Sequence, residues 1–328
     1  MTISTRSVAT LPATARALRW AHYLRVMFPP VALVPMGAAQ FFSVYLALQA
    51  LAGLAPLRFG WAAMVGAATT VLWMLLVRLQ DDIADADLDI RLGNAGDPRY
   101  RDRPIVRGEI TVAELRSLRG GALVLLGGLN ATLGAAWAAQ AALLVGFAVT
   151  WLGFHWFFIP ALRANPTPLA YLARKALTVL SGIYAVGVFE DQFQPVTLSL
   201  WIAALLIAPC MEVAAWEVGR KIRTPEDETE YGTYSKVLGW RAAALLPPAF
   251  VLAALACLLP IGVVLHLGWG FVAAVGTAGL VAVAACLRFR LAPTRARAKL
   301  QPFMEFFGAM VHGALLAALL IRNGAAWS

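Results

Sequence analysis

The 328-residue sequence is 60% hydrophobic and only 14% charged, with 27 Lys and Arg against 18 Asp and Glu, a formal charge of +9 at pH 7. Soluble domains average about 45–50% apolar and about 25% charged residues, and the mean hydropathy of this chain is +0.71. A soluble globular domain, a disordered tail and a nucleic-acid-binding module are therefore excluded as the main reading, which leaves an all-α integral membrane protein with no nucleic-acid partner.

From the N-terminus, residues 1–19 form an arm with scattered arginines but no short apolar core ending in a small-residue cleavage site, so no cleaved signal peptide is expected. A membrane-spanning helix needs about 20 mostly apolar residues. Nine such spans are predicted: Val26–Leu51, Gly60–Val77, Gly120–Ala139, Ala141–Ile159, Leu169–Phe189, Val196–Ala215, Ala242–Leu265, Gly268–Leu287 and Phe303–Ile321. With a cytoplasmic N-terminus, the arm, the loops after the even-numbered spans and the helix ends that border them face the cytoplasm, and of the 27 basic residues only Arg58 and Arg322 fall outside these segments. That asymmetry supports nine spans, N-terminus in, in a cell or inner membrane. Of the 18 acidic residues only Glu190 and Asp191 sit in an outer loop. Carboxylates do not normally obey the positive-inside rule, so their one-sidedness needs its own cause. It directs attention to two cytoplasmic loops, residues 78–119 and 216–241. The chain reads as one intramembrane domain over 1–328, its helices around a central cavity capped by those loops.

The second span continues into Arg78-Leu-Gln-Asp-Asp-Ile-Ala-Asp-Ala-Asp-Leu-Asp-Ile-Arg91. Asp82, Asp85 and Asp89 stand at i, i+3, i+7, and Asp81 joins Asp85 and Asp89 at i, i+4, i+8, so these carboxylates share one helical face while Asp87 points elsewhere. Stacked like charges destabilise a helix, more so at a low-dielectric interface. A divalent cation would offset them. Mg²⁺ takes one or two carboxylates, keeps waters and accepts phosphate oxygens, so an acidic face beside arginines reads as a Mg²⁺–diphosphate site; the competing reading is a solvated acidic helix end.

Asp81-Asp82-x-x-Asp85-x-x-x-Asp89, followed by Arg103-Pro104-x-x-x-Gly108-x-Ile110-Thr111, resembles the first signature of the UbiA superfamily of intramembrane prenyltransferases, NDxxDxxxD and then an RPxxxGxIS-like turn into an amphipathic helix. Asp81 stands where the family usually has Asn. Tyr171-x-x-x-Lys175 at the start of the fifth span is similar to the family's YxxxK element, whose lysine contacts diphosphate, and Arg25 with Pro29-Pro30 resembles the arginine-proline approach to span one. The second family motif, DxxxD at the end of span six, is altered. Glu217 occupies the first acidic position and Lys221 the second, with Glu212 about a turn earlier and Arg220 between. An i, i+4 surface salt bridge is the plain alternative for Glu217 and Lys221. Gly232-Thr-Tyr-Ser-Lys-Val-Leu-Gly239 resembles the family's GxxTxxxxxG ending.

The resemblance implies metal-binding and catalytic roles for Asp82, Asp85, Asp89 and Glu217. It implies substrate-binding roles for Asp81, Arg103, Tyr171, Lys175, Arg220 and Lys221. Mg²⁺ is the implied cofactor, a prenyl diphosphate and a lipophilic acceptor the substrates, and membrane lipid the surroundings. An intramembrane terpene cyclase of the same superfamily is the second expectation, prompted by the altered motif. A secondary transporter is disfavoured because the midplane regions carry almost no charge. His155 reads as a hydrogen-bonded core residue, His22, His266 and His312 lack metal-ligand partners, and Cys210, Cys257 and Cys286 lie in apolar runs as ordinary buried side chains.

Overall fold

The apolar runs fold into helices. The structure is a computed structural model that describes residues 13–155, 168–228 and 233–327. In chain order these hold α1 (Ala13–Met27), α2 (Pro30–Leu51), the short strand β1 (Leu57–Phe59), α3 (Trp61–Asn94), α4 (Val112–Ala131), α5 (Trp137–His155), α6 (Pro168–Gln192) and α7 (Leu200–Gly219). Two short helices, α8 (Tyr234–Leu238) and α9 (Trp240–Ala243), lead into α10 (Leu246–Val264), α11 (Gly268–Leu291), α12 (Gln301–Asn323) and strand β2 (Ala325–Trp327).

Six helices among the described residues are long and apolar enough to cross a membrane: α2, α3, α7, α9 with α10, α11 and α12. Their surfaces are inverted relative to those of a water-soluble bundle. Trp269, Leu280 and Ile321 are 85%, 72% and 86% exposed, whereas Gln49, Thr69 and Glu212 are buried. An apolar outer surface, with polar side chains kept to the interior among apolar ones, suits hydrocarbon surroundings, and the protein is an integral membrane protein.

The chain divides into two compact units. The first comprises residues up to Ala38 together with Ala67–Gly134. Its core gathers Tyr23 of α1, Leu79 of α3, Ile110 and Leu115, ringed by Trp20, Leu24, Met27 and Leu75. The loop between α3 and α4 closes at Gly108, whose φ of +71° suits a residue without a Cβ. Thr111 then caps α4: its hydroxyl accepts from the Glu114 backbone N–H at 3.2 Å, and the Glu114 carboxylate accepts from Thr111 N–H at 2.9 Å. Glu114 is 1% exposed and also pairs with Arg19 of α1 at 2.9 Å, so one buried carboxylate ties α1 to the start of α4. Further along, the Asn130 side-chain amide donates to the Thr69 hydroxyl at 2.8 Å, joining α4 to α3 inside the unit.

The predicted third span, Gly120–Ala139, is corrected by α4. The amphipathic helix and the third span are one helix beginning at the Thr111 cap. No breaker separates Ser117 from Gly120, and the chain turns at Gly134, φ +65°. The buried residues Glu114, Leu115, Ala122, Leu126 and Asn130 follow one helical face, while Val124 and Leu125 are exposed.

The second unit comprises Ala39–Gly66 and Ala135 to the C-terminus. Helix α5 packs on α6, α7 lies against α6, α10 and α12, and α11 packs between α10 and α12. β1 and β2 pair in parallel, Leu57 opposite Ala325 and Phe59 opposite Trp327. The charges set apart from the two loops have structural uses within this unit. Asp191 accepts from the Ala138 and Ala139 N–H groups at the start of α5, Glu190 accepts from Val196 N–H, and Arg322 donates to the Leu265 and His266 carbonyls where α10 ends. Each satisfies helix-end or turn groups that otherwise lack a partner. The predicted sixth span, Val196–Ala215, is likewise corrected: the Ser199 hydroxyl caps α7 at Ile202 N–H, and the helix runs to Gly219. Glu217 therefore belongs to the last turn of a helix rather than to the loop after it.

Candidate active site

The acidic face lies on the second half of α3, a continuous helix of 34 residues that carries the apolar span straight into the charged segment. Asp82 is 5% exposed and Asp89 2%, while Asp81, Asp85 and Asp87 are exposed. Asp82 receives the Tyr23 hydroxyl of α1 at 2.6 Å and the Arg78 guanidinium, one turn earlier, at 2.9 Å. Asp89 is paired with Arg103. Arg103 is set by the turn before α4, where its N–H donates to the Tyr100 carbonyl at 2.9 Å and its guanidinium lies 4.5 Å from the Tyr100 ring centroid. Asp85 sits on the same face between the two buried carboxylates, with no ion pair among the described residues.

Arginines therefore hold two of the three predicted carboxylates in place, and the predicted diphosphate ligand Arg103 is one of them. Tyr23 is the residue that sequence reasoning missed. Burial, with the Asp82 carboxylate beside it, pushes its phenol far above the ordinary tyrosine value, so it remains a hydrogen-bond donor. Tyr23→Phe keeps the ring in the core and removes that bond. We expect it to lower stability by about 1.5–3 kcal/mol, the usual scale for a hydrogen bond to a charged group, measured by thermal unfolding in detergent.

The second cluster lies at the end of α7. Glu217 is buried and pairs with Arg220 at 2.5 Å and with Lys221 at 2.8 Å. The predicted i, i+4 salt bridge is thus formed, and an i, i+3 partner is added. Arg220 also lies over the Trp216 ring, whose indole N–H donates to Glu305 of α12 at 3.1 Å. Further along, Asp227 pairs with Arg295 of the segment before α12 and accepts from the Thr224 hydroxyl, Glu228 accepts from the Thr233 hydroxyl, and Thr233 caps α8. Tyr171 and Lys175 lie in the first turns of α6, their side chains outside the described residues, as are those of His155 and Phe154; Gly232 lies outside as well.

Among the described residues no three His, Cys, Asp or Glu side chains are gathered to enclose a metal by themselves. The donor set on α3 nonetheless fits Mg²⁺ in kind: hard carboxylate oxygens, one of them exposed, for an ion that takes one or two protein carboxylates and completes its shell with water and phosphate.

No family model and no curated protein matches the sequence. Solved structures do. A structure of digeranylgeranylglyceryl phosphate synthase superposes with a TM-score of 0.60 at 13% identity, covering 93% of this chain and 99% of that one. The ligand-free structure of a UbiA homologue from Aeropyrum pernix K1 gives a TM-score of 0.59 at 17% identity, covering 87% and 97%. The fold is that of the UbiA homologues. The likeness extends over most of this chain and nearly all of each of those chains.

Proposed function

We propose that the protein is a Mg²⁺-dependent intramembrane prenyltransferase, moving a prenyl group from an isoprenoid diphosphate to an aromatic or other lipophilic acceptor. The observation that carries the reading is the acidic face of α3: Asp85 open between Asp82 and Asp89, each buried on an arginine, on a UbiA-type fold. Asp82, Asp85 and Asp89, with Asp81 beside them and Glu217 in the second cluster, are the residues that would hold Mg²⁺. Bound there, Mg²⁺ supplies positive charge to a leaving diphosphate.

The chain's own groups do the rest. Arg103, Lys175, Arg220 and Lys221 bind diphosphate oxygens, with Tyr171 orienting the substrate. Their fixed positive charges stabilise the leaving group more in a site shielded from water than they would in solution. Tyr23 and Arg78 hold the Asp82 carboxylate in its orientation. The apolar helices exclude water from the allylic centre while the isoprenoid tail lies in lipid. Nine spans with a cytoplasmic N-terminus fit the basic-residue distribution, α4, α5 and α6 adding 20, 19 and 25 residues to the six apolar helices.

Glu217 is held by two of the chain's own cations, and this favours keeping the cyclase as a second reading. Incubating purified protein with prenyl diphosphates of several lengths, with and without aromatic acceptors and with Mg²⁺ or EDTA, separates the two by mass spectrometry. Acceptor-dependent, EDTA-sensitive diphosphate release is the expected result. Release of a cyclic hydrocarbon or alcohol without acceptor would select the cyclase, and substrate untouched under every condition would overturn both.

A further inference from the structure

Within the second unit, α2, α7 and α12 meet around a carboxylate that the proposed reaction does not use. Glu212 lies in an apolar stretch of α7, 5% exposed, and neither of its carboxylate oxygens has a hydrogen-bond partner. His312 of α12 brings Nε2 to 3.3 Å from Oε2, outside hydrogen-bonding geometry. Its other ring nitrogen, Nδ1, pairs with the Ser43 hydroxyl of α2 at 2.9 Å. On α12, Gly308 faces the same carboxylate, since a Cβ there would stand 3.8 Å from Oε2.

One turn before Glu212, Pro209 interrupts the hydrogen-bond ladder of α7. Proline has no N–H, so the Leu205 carbonyl loses its helical donor. Leu205, Pro209, Glu212, Ser43 and His312 line one cavity of about 10 Å³, enough for about one water-sized occupant. The remaining lining is aliphatic, and His312 is the one other titratable side chain facing the cavity among the described residues. The site is thus rich in oxygen acceptors and poor in donors. A lone carboxylate in such surroundings is strongly unfavourable unless a positive charge joins it.

We propose that Glu212, Ser43 and the Leu205 carbonyl form a binding site for a single sodium-sized monovalent cation inside the helical bundle, with His312 positioning the serine hydroxyl. One carboxylate balances one positive charge. A divalent ion would leave the apolar site with an uncompensated charge, and Mg²⁺ sheds its waters reluctantly. The small cavity selects against larger cations. A carbonyl left without its helical donor by an in-helix proline is a free acceptor, and backbone carbonyls without a helical partner coordinate Na⁺ in membrane proteins where they line a cavity. The site is independent of the prenyl-transfer reading and is tested without turnover.

The test is thermal unfolding of the purified full chain in detergent at matched ionic strength in sodium, lithium, potassium and choline chloride, with ²²Na⁺ binding measured in parallel. The expected result is an upward shift of about 3–5 °C in sodium relative to choline when sodium is well above its dissociation constant. One ²²Na⁺ should bind per chain, with Glu212→Gln and Ser43→Ala losing both effects. Equal unfolding temperatures in sodium and choline with no ²²Na⁺ bound by the unaltered chain would overturn the proposal in favour of a protonated Glu212. Sodium dependence surviving in Glu212→Gln would place the cation elsewhere and overturn it equally.

Discussion

Replacing Asp85 by Ala is expected to reduce Mg²⁺-dependent diphosphate release by more than about a hundredfold, the scale on which loss of one preorganised electrostatic contact acts, while the protein inserts, purifies and melts as before. The separation of activity from stability follows from where the carboxylate sits. Asp85 is exposed and has no described ion pair, and surface substitutions of that kind usually stay within about 0.5 kcal/mol. Its neighbours Asp82 and Asp89 are like charges on the same face, so removing it relieves repulsion rather than creating it. Asp89→Ala should abolish release as well, but it also leaves Arg103 without its buried partner, and a stability loss will accompany it. Glu217→Gln is expected to cost less, because that position already departs from the family pattern and Arg220 and Lys221 hold it in place. The measurement is steady-state diphosphate release beside thermal unfolding of the same preparations. Near wild-type turnover in Asp85→Ala would sink the metal assignment.

What could be read along the chain was what repeats locally. The shared face of Asp82, Asp85 and Asp89, the Glu217–Lys221 spacing and the helical continuation past Arg78 all depend on helix period, and all three are present. What could not be read depends on partners far apart in sequence. Tyr23 meets Asp82 across 59 residues and Ser43 meets His312 across 269, and no local pattern announces either. His312 was set aside for want of a partner because its partners lie on other helices. Glu212 falls inside α7 as it falls inside the predicted span, but the Ser43–His312 pair beside it comes from other helices and leaves no local pattern. The β1–β2 pairing joins three-residue segments too short to carry an alternation. Span edges failed where composition changes gradually. Gly120–Ala139 is evenly apolar, and only the Thr111–Glu114 capping box and the Gly134 turn fix where α4 begins and ends.

Gly187→Ala is the substitution expected to damage the fold most. A Cβ at Gly187 on α6 would lie 2.8 Å from the carbonyl carbon and oxygen of Ala138 and from the nitrogen of Ala139, all backbone atoms of α5. No side chain can swing aside, so the two helices must separate. Asp191, one turn further along α6, caps α5 by accepting from the Ala138 and Ala139 N–H groups at 3.2 and 2.9 Å, and that cap depends on the same close approach. Overpacking costs about 1–3 kcal/mol and loss of a cap about 0.5–2. Together they predict a loss of about 2–4 kcal/mol for Gly187→Ala, against about 1 kcal/mol for Asp191→Ala alone. Gly127→Ala on α4 supplies the control: nothing lies within 4 Å of a Cβ there, and alanine favours the helix by about 0.5–1 kcal/mol. Thermal unfolding of the three variants should therefore rank Gly187→Ala lowest and Gly127→Ala at or above the unaltered protein. If Gly187→Ala unfolded with Gly127→Ala, α5 and α6 would not be in backbone contact, and the cap by Asp191 would lose its structural basis.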